Sequence, residues 1–325
     1  FWEDTLVAWQ KAGLKLPEPM TITVEGETKV IRSGVDQYFG FDITPLYMDV
    51  SMRFPTGIIA EDEEMYTITD RSGYTVRRYK KMVSSMDFVS HMIGDSDDWE
   101  QYKDRLTLDF DGTARVDSAS YFLHTKPYPT WEGVKEIFEA FRQMQTFIPV
   151  TVYGPWESAW RHHGFEDSLM DLIAEPEMMG EMFERITDLT IATVQKMLDI
   201  GYKPDAVWLI EDMGGTHTTL FSPKTYRELL LPNHKKVGDF LHANGIYFFM
   251  HSCGYIEPFI PGLIEAGLDV LQAIQANTGM HVKDLKPKFG DQLTFFGNIA
   301  VQSYKNGPEA IEAELREKLP IAMEG

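Results

Sequence analysis

From about residue 130 onward the chain alternates between apolar stretches of strand length and amphipathic stretches of helix length. Helical periodicity begins after Thr130, a residue suited to an N-cap, and runs to about 145. The apolar run 147–153 follows, then two helical stretches, the second opening near Pro176 and stopping at Gly201. Further strands are read at 206–210, 246–250, 269–274 and 293–296. Between and after them come helices at about 222–242, 258–266, 282–286 and 308–318, the first opening on Ser222-Pro223, an N-cap with proline behind it. Apolar strands separated by helices are parallel βαβ units. A doubly wound sheet and a closed barrel both satisfy that pattern. No glycine-rich nucleotide fingerprint follows a strand, which weighs against the doubly wound form. Polar residues gather just after the strands, at Tyr153-Gly154, Glu211-Asp212, His251 to Cys253, Gln272 to Gln275 and Gly297-Asn298. Barrel enzymes keep their chemistry there. The expected fold is therefore α/β, a (β/α)8 TIM barrel.

The first third reads differently. Residues 65–79 alternate β-formers around a turn at Asp70 to Gly73, a β-hairpin signature. The expectation is one barrel domain over 1–325, with 53–128 as an insertion or cap. Phe1-Trp2 and 43–49 supply candidate first and second strands, which with the five later ones makes seven. The chain opens without a methionine and stops at Gly325 just after a helix, so missing N-terminal residues and a closing eighth strand are expected outside it.

Composition narrows the partners. The hydrophobic fraction of 43% supports a large core, and no run of eighteen apolar residues offers a membrane span. No secretory leader is read at the start. A net charge of -20 repels phosphate backbones and anionic membrane faces. The expectation is no nucleic acid and no membrane partner, with a homodimer left open. One cysteine, Cys253, cannot form an internal disulfide, which fits a reducing cytoplasm.

The strongest local signal is His251-Ser252-Cys253-Gly254 at a strand end. Strand side chains repeat every two residues, so His251 and Cys253 can share a face, and imidazole with thiolate is a zinc pair. A satisfied histidine beside a buried thiol is the plainer alternative. Glu211-Asp212 follows the preceding strand. One carboxylate there, Glu211, is expected to complete the metal site. The other, Asp212, is expected to point elsewhere and hold substrate or act as a base, and capping or salt bridging is the alternative for either. Tyr153, Trp156, Trp160 and Arg161 lie at a strand-to-helix turn and could line a substrate pocket, as could Gln272. Trp156 and Trp160 at i, i+4 are equally compatible with helix packing. His162-His163 reads as helix surface, and His124, Lys126 and His217 as loop residues.

At these motifs the sequence resembles the uroporphyrinogen decarboxylase superfamily. The carrying residues are Tyr153-Gly154-Pro155-Trp156, Trp208 to Asp212, Ser222 to Tyr226, His251 to Gly254 and Phe296 to Ile299. The resemblance implies a (β/α)8 barrel and one of two activities: metal-free decarboxylation of a porphyrinogen, or zinc-dependent methyl transfer involving cobalamin. Three departures favour the second branch. The Arg-Gln-Ala-Gly-Arg-Tyr loop that grips substrate carboxylates has no counterpart. Arg161 stands where the decarboxylases carry a tyrosine, and Glu211-Asp212-Met213 stands where they carry Glu-Ser-His. In the methyltransferase branch His-x-Cys supplies two zinc ligands, here His251 and Cys253, and a second cysteine near the last strand often supplies another. No second cysteine is present, and Glu211 is the expected substitute. The resemblance thus implies zinc, a corrinoid carried by a partner protein, and a small-molecule methyl donor. A site with one thiolate and one carboxylate is hard enough to suit Lewis-acid activation of a methoxy group, and the aromatic residues suit an aryl methyl ether. The alternatives are a decarboxylase relative and a non-catalytic zinc- or corrinoid-binding module.

Overall fold

The computed structural model describes residues 3–80, 86–120 and 127–324. Its contacts divide the chain into two compact units, one of residues 1–152, 158–168 and 188–205, the other of 153–157, 169–187 and 206–325.

The first unit begins with a helix, Glu3–Lys11, and an antiparallel hairpin, β1 (Met20–Val24) and β2 (Glu27–Arg32). The short strand β3 (Leu46–Met48) follows. A four-stranded antiparallel sheet comes next, β4 (Gly57–Glu61), β5 (Met65–Thr69), β6 (Tyr74–Tyr79) and β7 (Asp87–His91). β5 and β6 pair from Met65↔Tyr79 to Thr69↔Thr75, the hairpin expected of 65–79. Ile68, Tyr74 and Val76 form its core. β8 (Val116–Asp117) pairs antiparallel with β3, and β9 (Pro149–Tyr153) pairs parallel with β3 on its other side. The helix Trp131–Arg142 is capped by the Thr130 hydroxyl and buries Val134, Ile137, Phe138 and Phe141, one face at helical spacing.

The second unit is built on four parallel strands in the order β13-β12-β11-β10: β10 (Ala206–Ile210), β11 (Tyr247–Ser252), β12 (Val270–Ala273) and β13 (Thr294–Gly297). The segments Leu231–Ala243, Ile260–Glu265 and Val282–Phe289 are its connecting helices, and Pro308–Ala322 follows β13. Registers of Ile210↔His251, His251↔Gln272 and Gln272↔Phe296 put these four residues in one row across the strands. Alternation then fixes two faces. Val207, Leu209, Phe248, Met250 and Leu271 are buried to within 1% on one. Trp208, Ile210, Phe249, His251 and Gln272 lie half-buried on the other.

The fold is thus mixed α/β with parallel strands, as expected, but among the described residues no barrel closes. β13 pairs with β12 alone and β8 with β3 alone. Antiparallel β8 takes the β3 edge that a barrel's first strand would use. The candidate strand at Phe1-Trp2 lies outside the described residues. Among those described, no helix is long and apolar enough to cross a membrane.

Candidate metal centre

The ends of β10 and β11 carry the chemistry of the second unit. His251 is the penultimate residue of β11, and Cys253 lies one step past its end. Their spacing keeps both on one side, with Cys253 Sγ 3.2 Å from His251 Nε2. Asp212, two residues beyond β10, joins them. Its Oδ1 lies 3.3 Å from His251 Nε2 and accepts the Cys253 backbone N–H at 2.7 Å. One donor atom from each of Asp212, His251 and Cys253 falls within 4.8 Å of the other two, the one such group among the described residues. Nitrogen, oxygen and sulfur donors at this spacing fit zinc, and three protein donors leave the fourth position that catalytic zinc sites keep open.

The electrostatics bind the three together. Burial works to lower the His251 pKa, but hydrogen bonds to Asp212 and Cys253 outweigh it and raise it to about 10. Burial pushes the Asp212 carboxyl up, and the bonds from His251 and the Cys253 N–H hold it below the ordinary carboxylate value nonetheless.

The expected third donor, Glu211, is not among them. Its Oε1 accepts the Trp156 N–H and His234 Nε2–H, each at 3.0 Å, and its Oε2 accepts the Glu157 N–H at 3.0 Å. The carboxylate caps the first turn of the helix Pro155–His163, where unpaired N–H groups and the helix dipole favour a negative charge. Gly154 makes room, since a Cβ there would overlap that carboxylate. Glu211 and Asp212 exchange their expected places for a simple reason. Strand parity continues past Ile210, so Glu211 follows Leu209 to the helix side and Asp212 follows Ile210 to the His251 side.

The turn after β11 is held from two directions. Gly254 donates its N–H to Gln275 Oε1 at 2.8 Å, and its φ of 81° suits glycine. A Cβ at Gly254 would run into the backbone of Gly214, so the two glycines let the β10 and β11 loops touch. Gln272, expected to contact substrate, has its Oε1 against His251 Nδ1.

The other expected pocket residues have different surroundings. Trp156 is fully buried, donates its indole N–H to the Asp212 carbonyl at 2.9 Å and packs edge-on to Phe221 at 5.0 Å. It is a core residue supporting the site, not a pocket wall. Tyr153 ends β9, half-buried, and stays a candidate. Trp160 and Arg161 belong to the first unit, where the guanidinium lies 4.5 Å over the indole and Phe88 meets Trp160 edge-on. His162 and His163, read as surface, are each 1% exposed. His217 is exposed, and His124 and Lys126 lie outside the described residues.

Sequence reasoning missed an aromatic row and His234, and gave Gln275 no role beyond its place after a strand. Trp208 packs against Phe249 at 5.9 Å and Phe296 at 5.7 Å, on the face that carries His251. The Trp208 indole nitrogen is buried and has no hydrogen-bond partner among the described residues. Alternation along β10 and β11 was the signal for that row. His234 holds Glu211 through Nε2 and meets the Tyr226 hydroxyl at Nδ1 at 3.2 Å, and no local motif announces that pairing.

Comparison with known proteins follows the same lines. The family model for uroporphyrinogen decarboxylase (URO-D) matches residues 118–324, which takes in Asp212, His251 and Cys253. A uroporphyrinogen decarboxylase from Nocardia farcinica (strain IFM 10152) is 28% identical over 156 residues, 48% of this chain and 41% of that protein. A solved methyltransferase from Methanosarcina mazei shares the fold, with a TM-score of 0.54 and 17% identity over 73% of this chain and 64% of that one. The chain therefore spans less than two thirds of the length of either relative. The family match covers more than half of its own residues, and on that ground the chain belongs to the uroporphyrinogen decarboxylase (URO-D) family.

Proposed function

We propose that this chain is a zinc-dependent methyltransferase that moves a methyl group from a methoxy donor to the corrinoid of a partner protein. The observation that carries the reading is the convergence of Asp212, His251 and Cys253 at the ends of adjacent parallel strands. A thiol and an imidazole held 3.2 Å apart beside a carboxylate favour metal binding over decarboxylation without a metal. The Methanosarcina mazei methyltransferase adds a shared fold and nothing finer.

Asp212, His251 and Cys253 would hold the ion. Zinc bound there would supply Lewis-acid chemistry for an ether oxygen. A carboxylate in place of a second thiolate makes the donor set harder, which favours an oxygen leaving group over activation of a thiol. Trp208, Phe249 and Phe296 form the wall next to His251 and suit an aryl group, with the Trp208 indole N–H left to donate to a substrate oxygen. Trp156 braces the Asp212 carbonyl and Glu211 braces Trp156, so the donor loop is backed by core.

The test is methyl transfer in solution. Zinc-loaded protein is mixed with cob(I)alamin and a panel of aryl and alkyl methyl ethers, and formation of methylcob(III)alamin is followed by absorbance. The reading expects zinc-dependent transfer with aryl ethers preferred. Loss of carboxyl groups from a porphyrinogen without methyl transfer would make the chain a decarboxylase. Corrinoid binding without transfer would make it a binding module.

A further inference from the structure

We propose that Gln272 is the positioning residue that keeps the His251 proton on Nδ1, so that Nε2 is the nitrogen presented to the metal. The inference rests on the metal site proposed above and assigns Gln272 a role different from substrate binding.

The register of the sheet makes the contact. β11 and β12 run parallel with His251 opposite Gln272, so the two side chains stand side by side on one face. His251 Nδ1 is hydrogen-bonded to Gln272 Oε1. That oxygen can only accept, so Nδ1 carries the hydrogen. The opposite ring nitrogen, Nε2, faces Cys253 Sγ at 3.2 Å and Asp212 Oδ1 at 3.3 Å. A histidine ligand bound through Nε2 gives up the proton there as the metal binds and keeps the one on Nδ1, and the group that accepts from Nδ1 decides which nitrogen coordinates. With the glutamine amide reversed, its NH2 would face Nδ1, favour the lone pair there and leave Nε2 protonated and unable to bind. The orientation of one amide therefore selects the metal-facing nitrogen.

Gln275, three residues on, accepts the Gly254 N–H and donates from Nε2 to Asn277 Oδ1 at 3.0 Å. The end of β12 thus holds both sides of the His-Ser-Cys-Gly turn: Gln272 the ring, Gln275 the backbone. Asp212 holds the middle through the Cys253 N–H.

Two variants separate acceptor from bulk. Gln272→Met keeps the length of the side chain and removes the acceptor. Gln272→Glu keeps an acceptor and removes the amide donor. The first readout needs no metal. In protein labelled with ¹⁵N-histidine, the His251 Nδ1–H, assigned with a His251→Gln variant, should give a resonance protected from solvent exchange. It should be lost in Gln272→Met and kept in Gln272→Glu. The second readout is affinity for Zn2+ and Co2+ by chelator competition, with the visible spectrum of the cobalt form. Gln272→Met should bind about 10–100-fold more weakly, with shifted cobalt bands, and Gln272→Glu should stay near wild type. Circular dichroism confirms that each variant folds. A Nδ1–H signal that is absent from wild type, or unchanged in Gln272→Met, overturns the proposal whatever the metal does. So does wild-type metal affinity in Gln272→Met. If the wild-type protein binds neither metal while the Nδ1–H signal behaves as expected, the metal-site reading fails, the clause about presentation to a metal fails with it, and the hydrogen bond itself stands.

Discussion

Adjacent carboxylates divide two kinds of work in this site. Glu211 is structural: fully buried, it satisfies two N–H groups at a helix start and one imidazole N–H. Replacing it by glutamine substitutes a neutral acceptor at a positive helix end and sets an amide donor against donors. Glu211→Gln is predicted to lose about 1–3 kcal/mol of stability by thermal or denaturant unfolding. The same variant is predicted to keep wild-type zinc stoichiometry, because Asp212 is the carboxylate beside His251 and Cys253. A variant as stable as wild type, or one that loses zinc while folded, would count against this division. The sequence made His251 and Cys253 legible because a two-residue spacing at a strand end has one geometric meaning. It also held the choice between Glu211 and Asp212, since counting alternation from Leu209 and Ile210 places each. What adjacency cannot reveal is the remote partner: His234 is 23 positions from Glu211, and no local pattern joins them.

The elements set the precision of the site through loops more than through strands. Between β10 and β11 the contact of Gly214 with Gly254 is backbone on backbone, and Gly254 sits at a positive φ. Gly254→Ala meets both obstacles at once, a left-handed backbone and an occupied space. It is predicted to cost about 1–3 kcal/mol and to weaken zinc retention in parallel, because the turn carries Cys253. Differential scanning calorimetry beside metal analysis checks it, and an unperturbed variant would show that the loops do not brace each other. The βαβ rhythm of β10 to β13 was readable because strands with one helix-covered apolar face and intervening helices leave periodic traces. β8 was not, because a two-residue strand has no periodicity, and its antiparallel pairing with β3 depends on a distant partner.

Across the whole chain, a buried histidine ties stability to pH. His162 lies 1% exposed in the first unit. Burial that leaves both ring nitrogens without a hydrogen-bond partner among the described residues lowers its pKa from the ordinary histidine value of 6.5 to about 4. The folded state therefore holds it neutral where the unfolded chain binds a proton. Its share of stability is complete above pH 6.5, falls as pH drops toward 4, and levels off below that. The loss is on the order of 3 kcal/mol. His162→Gln should flatten the decline of unfolding free energy across that window, and an unchanged profile would place the acid sensitivity elsewhere. The family was legible from motifs spread from Tyr153 to Ile299, all within the matched span of 118–324. Barrel closure was not, since it depends on pairing at the sheet edges.

Asp212, His251 and Cys253 are proposed to hold one zinc together. The most direct measurement is zinc per folded chain by plasma mass spectrometry after loading and desalting, on wild type and on Asp212→Ala, His251→Ala, Cys253→Ala and Glu211→Gln. About one zinc is expected in wild type and in Glu211→Gln, and strong loss in each of the other three. A metal-free wild type, or full retention in folded Asp212→Ala or Cys253→Ala, would contradict it.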